Sequence, residues 1–567
     1  MAGPQEVTSG PGPWVFLGLA LACLLITSWD TRARRQRYTY GSAGYATWRD
    51  SRAFHLTRRL FRSGLLVLFS GVGALAQRAS EQPQKTNPLS REPKALSYFI
   101  IGKYHGRTIA LREKEQEEHL LLTAPTGGGK SSLEIIPNLL REQGGRSLFI
   151  ADLKNELYRI TAGALARHHR IWWFTPSRPE QSHCYNPLAY VHSASDANML
   201  ADCWVKNTGE SNDPFWSNCA RFLICAIILH LRATEPDAPF CRLADLIAGK
   251  SFEEIKRDLE HSPSAEARRK AASFLSNMAY NERLVGSIMT DIGNRFQLFD
   301  SENVRAVTAQ NEIDFQAMVD DPTALYLSIP RSEVPMYRPL MACFTMQMFR
   351  TWEQYAAGSP SGSLPRGIAC YLDEFANIGY IPSYAHFIST ARYLHISLLM
   401  VIQNFAQLDE IYGGDNAETI RANANTHLLL PGAGLRECTY YSERIGSTTV
   451  QTWTRSRKAM SWTGLNDTWT QSETQRRLLT PEEIRTLRSR TVLMLRSNLP
   501  PMLLQATPYY EEASLARLAN IPYQNEHIRP ELPQAIDIAS IAPTIPPIES
   551  SVTGNEQASE EWHFSED

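Results

Sequence analysis

Short apolar runs recur through the middle of the chain, and segments with helical patterns separate them. The runs are three to six residues long and contain no charged residue. They span residues 120–122, 147–151, 171–174, 324–329, 368–372, 398–402 and 428–430. Apolar runs without polar alternation are typical of parallel strands that are buried on both faces. We therefore predict an α/β fold with a mainly parallel sheet.

The strand pattern stops between residues 193 and 321, where only helical patterns remain. Ser251, with Glu254 three residues later, has the spacing of a capping box at the start of a helix. Because this stretch is too long for a loop in a compact domain, we predict an all-α subdomain inserted into the sheet domain. Two later apolar runs, 491–495 and 502–505, are joined through Asn-Leu-Pro-Pro and are predicted to form a closing hairpin.

The N-terminal region contains two apolar runs of different character. Residues 14–29 are almost wholly apolar and are followed by four arginines between positions 32 and 37. A signal peptide would carry its positive charge before the run, whereas charge after it predicts a transmembrane anchor with the following chain in the cytoplasm. The second run, 64–76, is short. Since two spans would place the arginine-rich segment outside, we prefer one span and one surface or core helix.

Charge and cysteine content narrow the function classes. The 57 Lys and Arg residues nearly balance the 59 Asp and Glu residues, so any contact with nucleic acid must be local. The nine cysteines include no Cys-x-x-Cys pair, and neither a zinc site nor a disulfide framework is predicted.

The apolar run at 120–122 leads into a glycine-rich turn with helix-forming residues after it. The turn meets the pattern Gly-x4-Gly-Lys-Ser, except that Ala124 stands where the first glycine is usual. Loop amides and a helix N-terminus of this kind bind phosphates. We predict that ATP binds the loop residues Thr126, Gly127, Gly128, Gly129, Lys130, Ser131 and Ser132. In this interpretation Lys130 contacts the β/γ-phosphates and Ser131 binds Mg²⁺. The alternative is a glycine-rich turn without a ligand.

An acidic pair follows the apolar run at 368–372. Asp373 would hold Mg²⁺ through its water shell, and Glu374 would orient and deprotonate the attacking water. The alternative is a carboxylate pair that faces solvent at a strand end. Together with the phosphate loop, the pair predicts hydrolysis of a nucleoside triphosphate.

These motifs and the charge pattern divide the chain into six predicted segments. The N-terminal anchor with its basic flank is 1–37, and a juxtamembrane segment and linker follow at 38–97. The nucleotide-binding domain has two parts, 98–192 and 322–526, on either side of the all-α subdomain at 193–321. A disordered acidic tail, 527–567, has six acidic residues and no Lys or Arg after position 548. The tail would either dock a basic partner or remain solvated.

Several longer segments resemble the coupling ATPases of type IV secretion and conjugation. They are Gly41-Ser-Ala, Ile136-Pro-Asn-Leu-Leu, Asp152-Leu-Lys-Asn-Glu156, Tyr185-Asn-Pro-Leu188, Tyr371-Leu-Asp-Glu-Phe-Ala-Asn-Ile-Gly379, Gln403-Asn-Phe-Ala-Gln407 and Leu478-Leu-Thr-Pro-Glu-Glu483. The resemblance implies a RecA-like P-loop NTPase that forms a homo-hexamer at the bacterial inner membrane, with its ATPase domain in the cytoplasm. It also implies the partners: single-stranded DNA bound to a relaxase, or effector proteins, and the components of a type IV secretion channel.

The same resemblance implies two further roles. Arg392 occupies the position of the arginine finger that such rings present to a neighbour's nucleotide, and Gln403 that of a γ-phosphate sensor. The alternatives are a helix-surface arginine and a strand-end amide. Asp152, Lys154 and Glu156 would either line the nucleotide cleft or cap the next helix.

Residues 448–477 mix tryptophans and cations with many Thr and Ser residues. This composition suits unpaired bases, and it also suits a surface hairpin or a ring interface.

The predicted function is an ATP-driven coupling protein, and two alternatives stay open. One is a double-strand DNA translocase of the chromosome-partitioning type, although an acidic, proline-rich tail stands where such proteins carry a winged-helix reader. The other is a substrate receptor that binds ATP with little turnover, against which the intact acidic pair argues.

Overall fold

The protein is described here from a computed structural model, which covers residues 43–46, 97–209, 213–278, 282–456 and 468–527. The predicted membrane anchor at 14–29 and the second apolar run at 64–76 lie outside the described residues. The acidic part of the C-terminal tail also lies outside them.

Thirteen strands occur in the described residues. They are β1 (Tyr98–Tyr104), β2 (Arg107–Arg112), β3 (Leu120–Thr123), β4 (Ser147–Asp152), β5 (Arg170–Phe174), β6 (Thr323–Ser328), β7 (Ile368–Leu372), β8 (Ile396–Ile402), β9 (Thr426–Leu429), β10 (Ser447–Ser456), β11 (Thr468–Arg477), β12 (Thr491–Arg496) and β13 (Met502–Gln505). Eleven of them form one sheet in the order β2-β1-β13-β12-β9-β3-β8-β7-β4-β6-β5, and β10 pairs with β11.

The centre of the large sheet is parallel. Neighbouring strands from β9 through β3, β8, β7, β4 and β6 to β5 all pair in parallel, whereas β12, β13, β1 and β2 extend the β9 side antiparallel. Every residue of β4, β6, β7 and β8 is buried. Helices therefore cover both faces, and the α/β class with a mainly parallel sheet is as predicted.

All seven predicted parallel strands occur, as β3 to β9. The predicted closing hairpin also occurs, since β12 and β13 pair antiparallel with Leu493 opposite Leu503. The sequence patterns did not predict β1 or β2. The antiparallel pairing of β10 with β11 agrees with the surface hairpin that was one interpretation of residues 448–477.

Eighteen α-helical segments accompany the strands in the described residues. They are α1 (Glu113–Gln116), α2 (Ile136–Leu139), α3 (Glu156–Leu165), α4 (Ala194–Asn207), α5 (Pro214–Thr234), α6 (Cys241–Gly249), α7 (Phe252–Glu260), α8 (Ala265–Met278), α9 (Glu282–Arg295), α10 (Glu302–Thr308), α11 (Ala317–Asp320), α12 (Val334–Gly358), α13 (Tyr384–Ala391), α14 (Phe405–Tyr412), α15 (Gly414–Asn423), α16 (Leu435–Ile445), α17 (Pro481–Arg485) and α18 (Ala513–Ala519).

The described residues between β5 and β6 contain helices α4 to α11 and no strand. The capping box predicted from Ser251 and Glu254 is present at the start of α7. By length and composition alone, α5 is the one helix in the described part of the chain that could cross a membrane. However, 56% of its most apolar stretch of 18 residues is buried inside the protein, where the helix packs against α4 and α8.

Candidate functional site

The glycine-rich loop begins where the buried strand β3 ends. Gly127 and Gly129 have φ angles of +78° and +84°, in the left-handed region that favours glycine. A Cβ atom on Gly129 would also lie only 3.0 Å from Cδ1 of Leu133 in the following helix. That helix starts with a π-helical turn, Ser131–Ile135, and continues as α2. The positive φ angles therefore favour glycine at both positions, and the space beside Leu133 is tight as well at Gly129.

Lys130 lies between the two acidic residues at the end of β7. Its Nζ is 3.2 Å from Oδ1 of Asp373 and 3.0 Å from Oε1 of Glu374. All three side chains are at most 5% exposed. Since β8 lies between β3 and β7 in a parallel sheet, the carboxyl ends of all three strands share one edge. The sheet thus brings the glycine-rich loop and the acidic pair into contact.

Glu374 is held from several directions. Its φ of +56° is in the left-handed region, which is unusual for a residue with a side chain and is common at functional sites. Nδ2 of Asn377 donates a hydrogen bond to Oε2 over 2.9 Å, and Nζ of Lys154 lies 3.8 Å from Oε1. Both carboxylate oxygens are therefore fixed in position next to Lys130.

The two acids differ in their pKa. Burial raises the pKa of Asp373 above its ordinary value, although Lys130 and Lys154 partly oppose this effect. Burial also favours the neutral form of Glu374, but Lys130, Arg331 and Lys154 outweigh it and lower its pKa. Glu374 is accordingly ionised at neutral pH, as a group that accepts a proton must be.

Asp152 organises the loop after β4, the strand next to β7. Its carboxylate accepts backbone N–H groups from Lys154, Glu156 and Tyr158 at 2.8–3.3 Å. Burial raises the pKa of Asp152 to about 6, and the nearby Asp373 contributes in the same direction. Asp152 therefore satisfies N–H groups in the first turn of α3, and Nζ of Lys154 lies 3.8 Å from Oε1 of Glu374.

Gln403 follows β8 on the same edge of the sheet. The hydroxyl of Thr126 donates a hydrogen bond of 3.1 Å to Oε1 of Gln403. A strand-end amide therefore contacts the glycine-rich loop directly.

Arg392 lies at the amino ends of the parallel strands, whereas Lys130, Glu374 and Gln403 lie at their carboxyl ends. It precedes β8, whose seven residues span about 23 Å at ~3.3 Å per residue, and Gln403 follows the other end. Its guanidinium forms a 3.0 Å ion pair with Glu118, and the side chain is 57% exposed. The structure therefore does not bring Arg392 to Lys130 of its own chain.

Two residues of the site were not predicted from the sequence. Asn377 is part of the Asp-Glu-Phe-Ala-Asn-Ile-Gly string, and its position three residues after Glu374 was the available signal. Arg331 follows β6, another strand whose carboxyl end lies on this edge, and its charge lowers the pKa of Glu374.

The arrangement fits a magnesium-bound triphosphate. Mg²⁺ is usually held by one or two carboxylates together with substrate phosphates. Within the described ranges no group of three or more His, Cys, Asp and Glu residues could hold a metal ion by itself. Oδ1 of Asp373 is buried and has no hydrogen-bond partner, although it pairs with Lys130. Asp373 and Ser131 carry the oxygen atoms that would hold the ion, and Lys130 carries the cation that would face the phosphates.

The sheet and the loop at the end of β3 place the chain among the P-loop nucleotide-binding proteins. The family model described as "Type IV secretory system Conjugative DNA transfer" matches residues 74–535, and the chain belongs to this family.

Two curated relatives and a solved structure illustrate the similarity. Protein VirD4 of Agrobacterium fabrum strain C58 is 24% identical over 437 residues, which are 74% of this chain and 64% of VirD4. The match thus spans less than two thirds of the relative. Conjugal transfer protein TraG of Escherichia coli is 25% identical over 496 residues, or 82% of this chain and 73% of TraG.

The coupling protein TrwB, solved with a non-hydrolysable ATP analogue, superimposes with a TM-score of 0.55 at 17% identity. The superposition covers 77% of this chain and 92% of TrwB. TrwB has also been solved with ADP and Mg²⁺. At this identity the likeness concerns the fold.

Proposed function

We propose that this protein is an ATP-driven coupling protein. It recruits single-stranded DNA bound to a relaxase, or protein cargo, to a type IV secretion channel and powers the transfer. Membership of the conjugative DNA transfer family and the likeness to VirD4 and TraG support the cargo and channel assignment. The observation that carries the ATPase assignment is the contact of Lys130 with both Asp373 and Glu374 beside the glycine-rich loop.

The site residues then have distinct roles. The loop from Thr126 to Ser132, which includes Lys130, would bind the phosphates, while Ser131 would ligate Mg²⁺ and Asp373 would hold the ion through its water shell. The ion supplies charge stabilisation for the transferring phosphoryl group. Glu374 accepts the proton of the attacking water, and Gln403 reports the loss of the γ-phosphate to the loop through Thr126.

The proposal extends to assembly and location. The chain forms a homo-hexamer at the bacterial inner membrane, anchored by residues 14–29, with the ATPase domain in the cytoplasm. Arg392 acts as an arginine finger on the neighbouring subunit's nucleotide. Its exposed position at the sheet edge opposite its own glycine-rich loop supports action on a neighbour.

Turnover by the Glu374→Gln protein tests the assignment. Glutamine keeps the shape of the side chain but cannot accept the proton, so we expect retained ATP binding and a kcat lower by about 10²–10⁴-fold. The measurements are steady-state ATP hydrolysis and binding of a fluorescent ATP analogue. Glu253→Gln is the matched control, because the Glu253 side chain is 76% exposed on α7.

Normal turnover in Glu374→Gln would remove Glu374 from the proposed mechanism. Wild-type hydrolysis should be measured alone, with single-stranded and with double-stranded DNA. Stimulation by duplex alone would favour the double-strand translocase, and negligible turnover under all conditions would favour the receptor.

A further inference from the structure

A second cleft lies next to the loop that carries Glu374, on the side of the helical region. Its volume is about 560 Å³. Its lining comes from the end of α4, the start of α12, the loop after β7 and the junction of α14 and α15. The lining residues include Lys206, Asn207, Arg338, Gly379, Tyr380 and Glu410. We call it the Lys206–Arg338 cleft.

Two cations of the cleft have no anionic partner among the described residues. The ammonium of Lys206 lies 4.1 Å from the centroid of the Tyr380 ring. Nε of Arg338 is buried and has no hydrogen-bond partner. Glu410 is the one carboxylate that lines the cleft in the described residues, so the local charge is positive. A buried guanidinium donor without an acceptor is costly, and an anion would reduce that cost.

Two hydrogen bonds connect the cleft to the loop that follows Glu374. Nδ2 of Asn207 donates to the carbonyl oxygen of Tyr380, and the N–H of Tyr380 donates to Oδ1 of Asn207, both at 2.8 Å. A Cβ atom on Gly379 would lie 2.3 Å from Oδ1 of Asn207. The loop is therefore packed tightly against the end of α4.

The other end of the same loop holds the acid. Glu374 begins the segment, and Asn377 binds its carboxylate. A shift of Tyr380 or Asn207 would accordingly be transmitted within six residues to the group that activates water.

We propose that the Lys206–Arg338 cleft binds phosphodiester groups of a single-stranded nucleic acid and that this contact controls Glu374 through the loop of residues 375–380. Cations that follow a strand's phosphates beside an aromatic ring are typical of sequence-independent single-strand binding. The inference rests on the proposed function and names where its nucleic acid cargo contacts the motor.

Binding of a fluorescent oligo-dT to the full chain in detergent, measured by anisotropy over a salt series, tests the contact. For Lys206→Gln and Arg338→Gln, we expect the slope of log K against log salt to be shallower by about 0.7 for each cation removed. The matched control is Lys256→Gln, which removes a cation from the exposed helix α7, outside the cleft. Slopes equal to that of the wild type in both cleft variants would overturn the proposal.

The second measurement is the ratio of ATP hydrolysis with oligo-dT to hydrolysis without it, which compares each variant with itself. We expect the ratio to fall towards one in the double variant and to recover partly in Arg338→Lys, whose melting temperature checks folding. Inorganic phosphate in place of the oligonucleotide distinguishes a site for the polynucleotide backbone from a site for free phosphate. Equal stimulation of ATP hydrolysis by free phosphate would contradict a polynucleotide site. So would cleft variants that lose the response to a protein cargo but keep the response to oligo-dT.

Failure of this inference can be told apart from failure of the proposed function. If oligo-dT stimulates ATP hydrolysis equally in the wild type and in the cleft variants, only the proposed role of the cleft is refuted. A wild-type protein without ATP hydrolysis refutes the motor.

Discussion

At the scale of single residues, Asp152 has an environment that makes stability depend on pH. Its folded-state pKa of about 6 lies above the ordinary value of 3.8, chiefly because the group is buried. The folded protein therefore binds this proton more tightly than the unfolded chain. The resulting contribution to the free energy of unfolding is complete below pH 3.8 and is lost as the pH rises through about 6. From these two values the change is about 3 kcal/mol.

Asp152→Asn tests this dependence, because asparagine cannot titrate. Of this total we expect the wild type to lose about 2 kcal/mol of unfolding free energy relative to the variant between pH 4 and pH 6.5, as measured by urea denaturation. Asp321→Asn serves as the control, since the Asp321 side chain is 61% exposed. Parallel pH profiles for wild type and Asp152→Asn would show that the buried carboxyl group does not titrate in this range.

Residues whose role follows from local spacing could be predicted from the sequence. Asp373 and Glu374 stand directly after a predicted strand, and Lys130 ends the glycine-rich loop that follows another. Parallel strands present such ends on one edge. Arg331 follows a predicted strand in the same way, but it belongs to no short motif, and its effect on Glu374 arises through space. The position of Asn377 beside Oε2 depends on the left-handed turn at Glu374, which no pattern of residue types specifies.

At the scale of elements, the start of α7 depends on its capping box. Oγ of Ser251 accepts the N–H of Glu254, while Oε2 of Glu254 accepts the N–H of Ser251 at 2.8 Å. The helix has nine residues and buries only Ile255 and Leu259, so it is too short to be stable by itself.

Ser251→Ala removes one of the two reciprocal bonds of the cap. We expect the free energy of unfolding to fall by about 1 kcal/mol, measured by urea denaturation. Ser251→Asn should retain most of the stability, because asparagine also accepts from the helix N-terminus. If the alanine variant were as stable as the wild type, solvent would satisfy the free N–H equally well.

Burial decides which strands could be predicted. The strands from β3 to β9 are buried on both faces and give unbroken apolar runs in the sequence. By contrast, the hairpin of β10 and β11 is exposed along its described middle, and its residues are mostly polar. Such a hairpin has no hydrophobic pattern, so only its composition suggested a surface hairpin, as one interpretation among several. β1 and β2 are only partly buried near the sheet edge, where Gly102 allows β1 to approach the backbone of Gln505.

At the scale of the whole molecule, the spatial order of the strands decides which residues can cooperate within one chain. The sequence predicts parallel strands but not that β8 lies between β3 and β7, because this order depends on long-range packing. That order places Lys130, Glu374 and Gln403 together. It also places Arg392, before β8, at the far edge.

A mixing experiment tests whether Arg392 acts on a neighbouring subunit. Arg392→Ala should lower kcat by about 10³-fold or more, as expected for loss of an arginine finger. Glu374→Gln is inactive for a different reason, so each protein lacks what the other retains. In a head-to-tail ring formed from equal amounts, roughly a quarter of the interfaces pair an intact Glu374 with an intact Arg392. ATP hydrolysis should therefore rise well above that of either protein alone.

The control for this gain is a mixture of Glu374→Gln with Lys130→Ala. Both substitutions damage the same nucleotide site, so no interface in that mixture is complete and no hydrolysis should return. Near-normal hydrolysis by Arg392→Ala alone would leave this arginine as a surface residue paired with Glu118. If Arg392→Ala is inactive and its mixture with Glu374→Gln gains nothing, both residues would have to serve one site within one chain. The length of β8 between Arg392 and the glycine-rich loop argues against that arrangement, and recovery in the mixture is therefore the outcome that this fold requires of an arginine finger.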